Sequence, residues 1–218
     1  MTLQFQFHAV CASIGVPIDL ADSWLARINA AYAEQGRAYH TAQHIDSMLN
    51  HPLLVGQGHT LPIATTLAIV FHDAVYDPLR KDNELQSAAV FADFAAAGGL
   101  PSDLVARVCK LIMCTEKHRL SDELADDEAA KVFLDLDLSI LAAPDAVYDD
   151  YAAAIRVEYS HVPDDMYRSG RVAVLRSLTA RDVFLSPLFH TEHMEAAAKR
   201  NVEREIASLL AASSSSSS

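Results

Sequence analysis

The chain has 218 residues, of which 51% are hydrophobic, and its formal net charge is −12 at pH 7. A globular chain of this length can bury a sizeable core in one domain, so neither disorder nor a second domain is required. The negative charge excludes a nucleic-acid polymer as a general partner, although a few local cations can still hold a small phosphorylated substrate.

The cysteines and the apolar segments bear on cellular location. Cys11, Cys109 and Cys114 form no CxxC pair, and their odd number favours reduced thiols. The first residues, MTLQFQFHAVCAS, lack the basic region of a secretory signal peptide. The longest apolar run, residues 61–71, is about half as long as a membrane-spanning helix. We therefore expect a cytoplasmic protein with no membrane partner, and the sequence allows a homo-oligomer.

Helical periodicity runs through nearly the whole chain. The apolar segment 61–75 predicts a buried central helix, and Gly98-Gly99 predicts a helix end. Predicted helices cover about residues 20–34, 41–50, 61–75, 83–98, 102–113, 148–159, 165–179 and 195–209. No hairpin signal or internal repeat interrupts them. The sequence therefore predicts one all-α domain over residues 1–211, followed by a low-complexity serine tail at residues 212–218.

The segment KVFLDLDLSIL, residues 131–141, is an exception because its apolar residues alternate around Asp135 and Asp137. Alternation with period two is typical of a buried strand. The segment also resembles the aspartate loop of haloacid-dehalogenase-type phosphatases, which follows a strand of a parallel sheet. That family usually carries the loop near the start of the chain, with Thr or Val where this chain has Ser139. The surrounding helices weigh against this alternative.

Two pairs of residues suggest metal chemistry. His40 and His44 are four residues apart, so on a helix they share one face. His72 and Asp73 are adjacent at the end of the predicted buried helix, where each is costly without a partner. Of these residues, His44, His72 and Asp73 form with Asp137 a mixed nitrogen and oxygen set that suits a divalent metal, with positions left for water and substrate.

Five motifs extend this pattern along most of the chain: RAYHTAQHI, FHDAVYDP, DNELQSA, FLDLDLSIL and IRVEYSHV. In this order they resemble the HD-domain superfamily of metal-dependent phosphohydrolases, over residues of about 20 to 210. The resemblance implies a single helical bundle with a buried metal site. It assigns His44, His72, Asp73 and Asp137 as ligands of a divalent ion, which is Mg, Mn, Co, Ni, Zn or Fe.

The resemblance gives His40 a different role from His44. Cyclic-nucleotide phosphodiesterases, which are relatives of this family, carry a YHN element whose histidine donates a proton to the leaving oxygen. Tyr39-His40 is similar to that element, with Thr41 in place of Asn. His40 is therefore expected to act as the proton donor, or else to be a solvent-facing residue, and Asp73 is expected to orient the attacking water.

Other polar residues have a structural and a functional interpretation. Glu84 either hydrogen-bonds a metal ligand or is an acid favoured at a helix N-terminus. Lys117 and His118 follow an apolar helix and are candidates for phosphate binding or, for His118, a second metal. Arg156 and Arg171 are candidates for phosphate binding, since a guanidinium matches phosphate oxygens, but structural salt bridges explain both equally well.

The sequence thus predicts hydrolysis of a small phosphomonoester or phosphodiester, with nucleotides among the substrates. Two alternatives remain open. A minority of HD-fold proteins hold two irons and activate oxygen, for which His118 is the best-placed additional histidine. The third hypothesis is a non-catalytic regulatory module that binds a metal or a nucleotide.

Overall fold

The structure is a computed structural model that describes residues 2–215, and all its regular elements in that range are helices. The all-α prediction is confirmed, and no strand occurs among the described residues. The helices are α1 (Leu3–Ser13), α2 (Ile18–Tyr32), α3 (Ala42–Leu49), α4 (Pro52–Gly56), α5 (Ile63–Phe71), α6 (Asn83–Gly98), α7 (Ser102–Cys114), α8 (Glu128–Leu138), α9 (Asp145–Glu158), α10 (Asp164–Thr179) and α11 (Glu192–Ser215).

The chain divides into two compact units, Met1–Leu134 and Asp135–Ser218, and the boundary falls within α8. That residues 1–211 form a single domain stays a prediction. Part of the predicted serine tail is helical, because α11 continues to Ser215. The rest of that tail, residues 216–218, lies outside the described residues.

The core of unit 1 surrounds the short helix α5, in which every residue from Thr65 to Phe71 is buried. Helices α1, α3, α6 and α7 pack around it. An aromatic cluster covers its end, with ring centroids 5.3–6.4 Å apart, and consists of Phe7, Trp24, Phe71, Phe91 and Phe94. The helix ends at Phe71 rather than at residue 75, so His72 follows a helix that is enclosed on all sides.

The segment 131–141 is helical, so the strand alternative is wrong. Helix α8 ends at Leu138 and continues as a 3-10 turn, Ser139–Ala142. The pattern misled because Asp135 is a polar residue that is fully buried, whereas an alternating pattern places polar residues on the exposed face. Its carboxylate accepts hydrogen bonds from the N–H of Leu185 (2.7 Å) and from the N–H (2.7 Å) and hydroxyl (2.6 Å) of Ser186. Burial raises the pKa of Asp135 to about 6, although these hydrogen bonds act in the opposite direction.

Unit 2 is organised by α11, which packs against α9, α10 and the 139–142 turn. The buried Asn201 of α11 donates from Nδ2 to the carbonyl oxygens of Leu141 (2.9 Å) and Ala143 (2.8 Å). These bonds satisfy backbone groups at the end of the turn, which fixes the chain where it leaves α8.

Two expectations about the whole chain can be compared with the described residues. None of their helices combines the length and the apolar character needed to cross a bilayer. Cys11, Cys109 and Cys114 are free thiols, and burial raises the pKa of each. Burial and a raised pKa favour a packing role for these thiols.

Candidate metal centre

His72 is the most buried of the predicted ligands, with 1% of its surface exposed. Its Nδ1 lies 2.9 Å from the carbonyl oxygen of Ile69 in the preceding turn. A carbonyl can only accept, so Nδ1 carries the proton and Nε2 presents its lone pair, as in a neutral metal-binding imidazole. Helix α5 therefore fixes both the orientation and the tautomer of the ring.

The next residue places a carboxylate against that lone pair. Oδ2 of Asp73 lies 3.0 Å from Nε2 of His72, and the Asp73 side chain is largely buried. Two acceptor atoms at this distance repel each other unless a positive charge lies between or beside them. A proton on either the ring or the carboxyl makes this contact a hydrogen bond, and a metal ion can bind both atoms, so the pair is compatible with a cation site.

His44 provides a second nitrogen from α3. This helix buries one face, formed by His44, Ile45, Met48 and Leu49, against α1 and α5. The ring centroids of His44 and His72 are 5.4 Å apart, and ligand atoms of the two rings lie within 4.8 Å of each other. Two imidazoles bound at about 2.1 Å to one tetrahedral ion have centroids roughly 5 Å apart, so this arrangement fits a shared ion.

His40 lies beside this pair in the segment that precedes α3. It is half-buried, and its ring stacks on that of Tyr76, with centroids 4.1 Å apart and an interplanar angle of 24°. The His40 and His44 centroids are 6.0 Å apart, and Tyr39 contacts both rings. The two histidines of the motif are thus close, but only His44 is fully enclosed in the core of unit 1.

Asp137 lies in the part of α8 that belongs to unit 2, and it is half-buried. On the same helix but within unit 1, Phe133 contacts the His72 ring edge-on, with centroids 5.9 Å apart. Residues four apart on a helix share a face, so Asp137 is on the face of α8 that carries Phe133. Its assignment as a ligand stays a prediction.

The less specific candidates lie at helix ends. Glu84 is half-buried in the first turn of α6, where its charge is favourable to the helix dipole. Lys117 has 76% of its side chain exposed and lies 3.7 Å from Glu116. His118 has a backbone φ of 46°, the left-handed conformation of a residue that ends a helix, and follows α7. Their functional roles stay predictions, and each position has a structural explanation.

The two arginines proposed to bind phosphate have other partners. Arg156 donates to the carbonyl oxygens of Tyr159 (2.7 Å) and Val162 (3.3 Å), just after the end of α9. The buried Arg171 makes a bidentate ion pair with Glu205, in which Nε donates to Oε1 (2.8 Å) and Nη2 donates to Oε2 (3.2 Å). These contacts favour the structural interpretation of both residues, and their role in binding phosphate stays a prediction.

A second group of donors lies entirely in unit 2 and consists of Asp182, His190 and Glu195, whose ligand atoms also lie within 4.8 Å of one another. Here a cation is already present. Nζ of Lys199 lies 3.7 Å from Asp182 and 3.4 Å from Glu195. The ammonium offsets part of the charge of the two carboxylates, so this group resembles a surface ion-pair network more than a metal site.

Sequence patterns did not identify the arginine that links the candidate residues. The buried side chain of Arg37 donates to the carbonyl oxygens of His40, Asp73 and Ala74. Arg37 belongs to the first quoted motif, but its partners include backbone atoms as far as 37 residues away. A contact of this kind leaves no trace in residue spacing.

Comparison with known proteins adds no relatives. No family model, no curated protein and no solved structure matches the chain. The resemblance to the HD-domain superfamily therefore stays a hypothesis drawn from the motifs.

Proposed function

We propose that the protein is a metal-dependent phosphohydrolase that acts on a small phosphomonoester or phosphodiester. The observation that supports this most directly is the contact between Nε2 of His72 and Oδ2 of Asp73, beside the buried His44. Two facing acceptors and a second imidazole in a buried position suit a divalent cation better than an empty pocket.

The ligand set of this proposal begins with His44 and His72, whose ring nitrogens lie within 4.8 Å of each other, and with Asp73, whose Oδ2 lies 3.0 Å from Nε2 of His72. Asp137 is the fourth ligand that the motif resemblance assigns. Imidazole nitrogens suit Zn, Fe, Co and Ni, whereas carboxylate oxygens also accept Mg and Mn, so a mixed set is compatible with all of them. The hydrogen bond from His72 to the Ile69 carbonyl supports the proposal, since metal-binding histidines usually donate from their other nitrogen.

When bound, a divalent ion lowers the pKa of water and polarises a phosphoryl oxygen. In this proposal the Asp73 carboxylate accepts a hydrogen bond from the attacking water and so orients it towards phosphorus. His40 donates a ring N–H to the leaving oxygen, which needs a proton when the leaving group is a poor one. Stacking on Tyr76 holds the His40 ring in one plane, which favours a directed proton transfer.

The test is a panel of phosphomonoesters, phosphodiesters and nucleotides, assayed with Mg, Mn, Co, Ni, Zn and Fe(II) added to protein purified without metal. Turnover that a chelator abolishes and one of these ions restores is the expected result. Metal binding without turnover would favour the regulatory module, and two bound irons with oxygen consumption would favour the oxygenase. The cytoplasmic location and a homo-oligomer stay predictions.

A further inference from the structure

Arg37 lies between α2 and α3, and only 2% of its side chain is exposed. All five N–H donors of its guanidinium have an acceptor. Nη1 donates to the carbonyl oxygens of Asp73 (2.6 Å) and His40 (3.3 Å). Nη2 donates to the carbonyl oxygen of Ala74 (3.2 Å) and to Oε2 of Glu34 (3.0 Å), and Nε donates to the same Glu34 oxygen at 3.3 Å.

This arrangement requires an arginine. A buried cation is tolerated only when it is paired and hydrogen-bonded, and here Glu34 supplies the charge while three carbonyls take the remaining donors. The guanidinium is a rigid planar fork, so its acceptors are held at fixed positions relative to one another. A lysine ammonium carries its donors on one nitrogen and cannot reach the same set of atoms.

The hydrogen bonds of Arg37 join two segments that lie outside the helices. His40 belongs to the irregular segment before α3, and Asp73 and Ala74 belong to the turn after α5. Two residues beyond Ala74, the Tyr76 ring stacks on His40 at 4.1 Å. In contrast, His44 lies within α3 and His72 at the end of α5, where burial against the core of unit 1 holds them.

We propose that Arg37 is a positioning residue that sets the His40 ring relative to Asp73 and Tyr76. It fixes the distance between the two segments through backbone carbonyls, its guanidinium also lies 5.7 Å from the centroid of the Tyr76 ring, and it touches neither metal nor substrate. Where it concerns catalysis, this inference rests on the proposed function. The stacking of His40 on Tyr76 is measurable without any substrate, so the positioning role has its own test.

The first experiment records the histidine ring resonances of the full chain by NMR, in wild type and in Arg37→Lys. Stacking places the His40 ring protons in the ring current of Tyr76, so we expect these resonances to lose that shift in the variant. The matched control is Arg27→Lys, which changes an exposed arginine that lies 3.9 Å from the Trp24 ring. His40 resonances that are the same in Arg37→Lys as in wild type would overturn the proposal.

The second experiment asks whether Arg37 acts through His40 in turnover. We expect Arg37→Lys to lower the rate by about 10–100-fold while the metal content stays at the wild-type value. In a His40→Ala background the same change should have almost no further effect on the rate, because the ring that Arg37 positions is absent. A change of no more than about 2-fold counts as no effect, since this is the precision to which such comparisons of variants hold. Equal losses in both backgrounds would show a general structural role and overturn the proposal.

The two experiments separate the failure of this inference from that of the proposed function. If wild type hydrolyses no phosphoester, the NMR comparison alone decides whether Arg37 positions His40. If Arg37→Lys does not fold, Glu34→Gln replaces it, because Glu34 has 58% of its side chain exposed and leaves the core unchanged. A smaller shift of the His40 resonances in the same direction is then expected, and no shift would overturn the proposal.

Discussion

Two groups of histidine and carboxylate side chains occur in this protein, one in each unit, and they differ in charge balance. In unit 1, His72 and Asp73 face each other through two acceptor atoms beside the buried His44. In unit 2, the comparable group contains Lys199, whose ammonium already lies near Asp182 and Glu195. The presence of suitable ligand types therefore does not by itself indicate a metal site, because the carboxylates of the unit 2 group already have a lysine ammonium beside them.

The largest expected effect comes from removing one histidine from each of the two groups. His72→Ala should lose bound metal and lower turnover by at least about 10³-fold, because several kcal/mol of transition-state stabilisation depend on the ion. His190→Ala should keep both metal and turnover. Metal analysis by mass spectrometry, with rates measured before and after a chelator, checks both variants. Metal loss in His190→Ala would place the functional ion in the group of unit 2 instead.

The next effect separates two neighbours within unit 1. His40→Ala should keep the metal but slow turnover by roughly 10²–10⁴-fold if His40 is the general acid, whereas His44→Ala should lose both. The loss in His40→Ala should shrink for a substrate with a good leaving group such as nitrophenolate, which hardly needs a proton. Rates on two substrates of different leaving-group pKa, with metal content, test this. Equal metal loss in both variants would make His40 a ligand.

A third prediction concerns a carboxylate that is held by N–H and O–H donors rather than by a cation. Asp135→Ala should lower the free energy of unfolding by about 3 kcal/mol, since the donors of Leu185 and Ser186 lose their acceptor in a buried position. Urea unfolding measures this. The control is Asp149→Ala, an exposed carboxylate paired with Arg204, for which about 1 kcal/mol or less is expected.

The same variant has an expected pH dependence. The folded protein holds the Asp135 proton more tightly than the unfolded chain, because the pKa of this carboxyl is raised to about 6 on folding. Its contribution to stability is therefore complete below about pH 4 and falls as the pH rises towards about 6. The difference between wild type and Asp135→Ala should be larger at pH 4 than at pH 7. A difference that grows with pH would contradict this assignment.

The smallest effect comes from removing the lysine of the unit 2 group, which tests whether its charge prevents metal binding there. Lys199→Met removes the resident cation, and the free energy of unfolding should change by less than about 1 kcal/mol, as is usual for surface ion pairs. The variant should then bind Zn²⁺ weakly at Asp182, His190 and Glu195, where wild type does not. Titration calorimetry in a His72→Ala background isolates this site. A variant that binds no zinc would show that charge balance alone does not distinguish the two groups.

Residue spacing was sufficient to predict the all-α fold and the helix that carries His44, because both depend on local apolar periodicity. It placed the end of α5 too late, since Ala74 and Val75 resume the apolar pattern after His72 and Asp73 while the helix ends at Phe71. The alternation in residues 131–141 suggested a strand because Asp135 is buried by partners fifty residues away. Arg37 was missed for the same reason, as backbone carbonyls of distant segments leave no pattern in a sequence.

Helix α5 also has a consequence for how the chain folds in the cell. Its residues Thr65–Phe71 are uncharged, contain four β-branched side chains and include no proline, which is typical of segments that aggregate as strands. In the folded unit they are entirely covered, but part of that cover comes from α6 and α7, which a ribosome synthesises later. The nascent chain therefore exposes this segment for a time, so that self-association competes with folding and the yield of native protein depends on chain concentration and temperature.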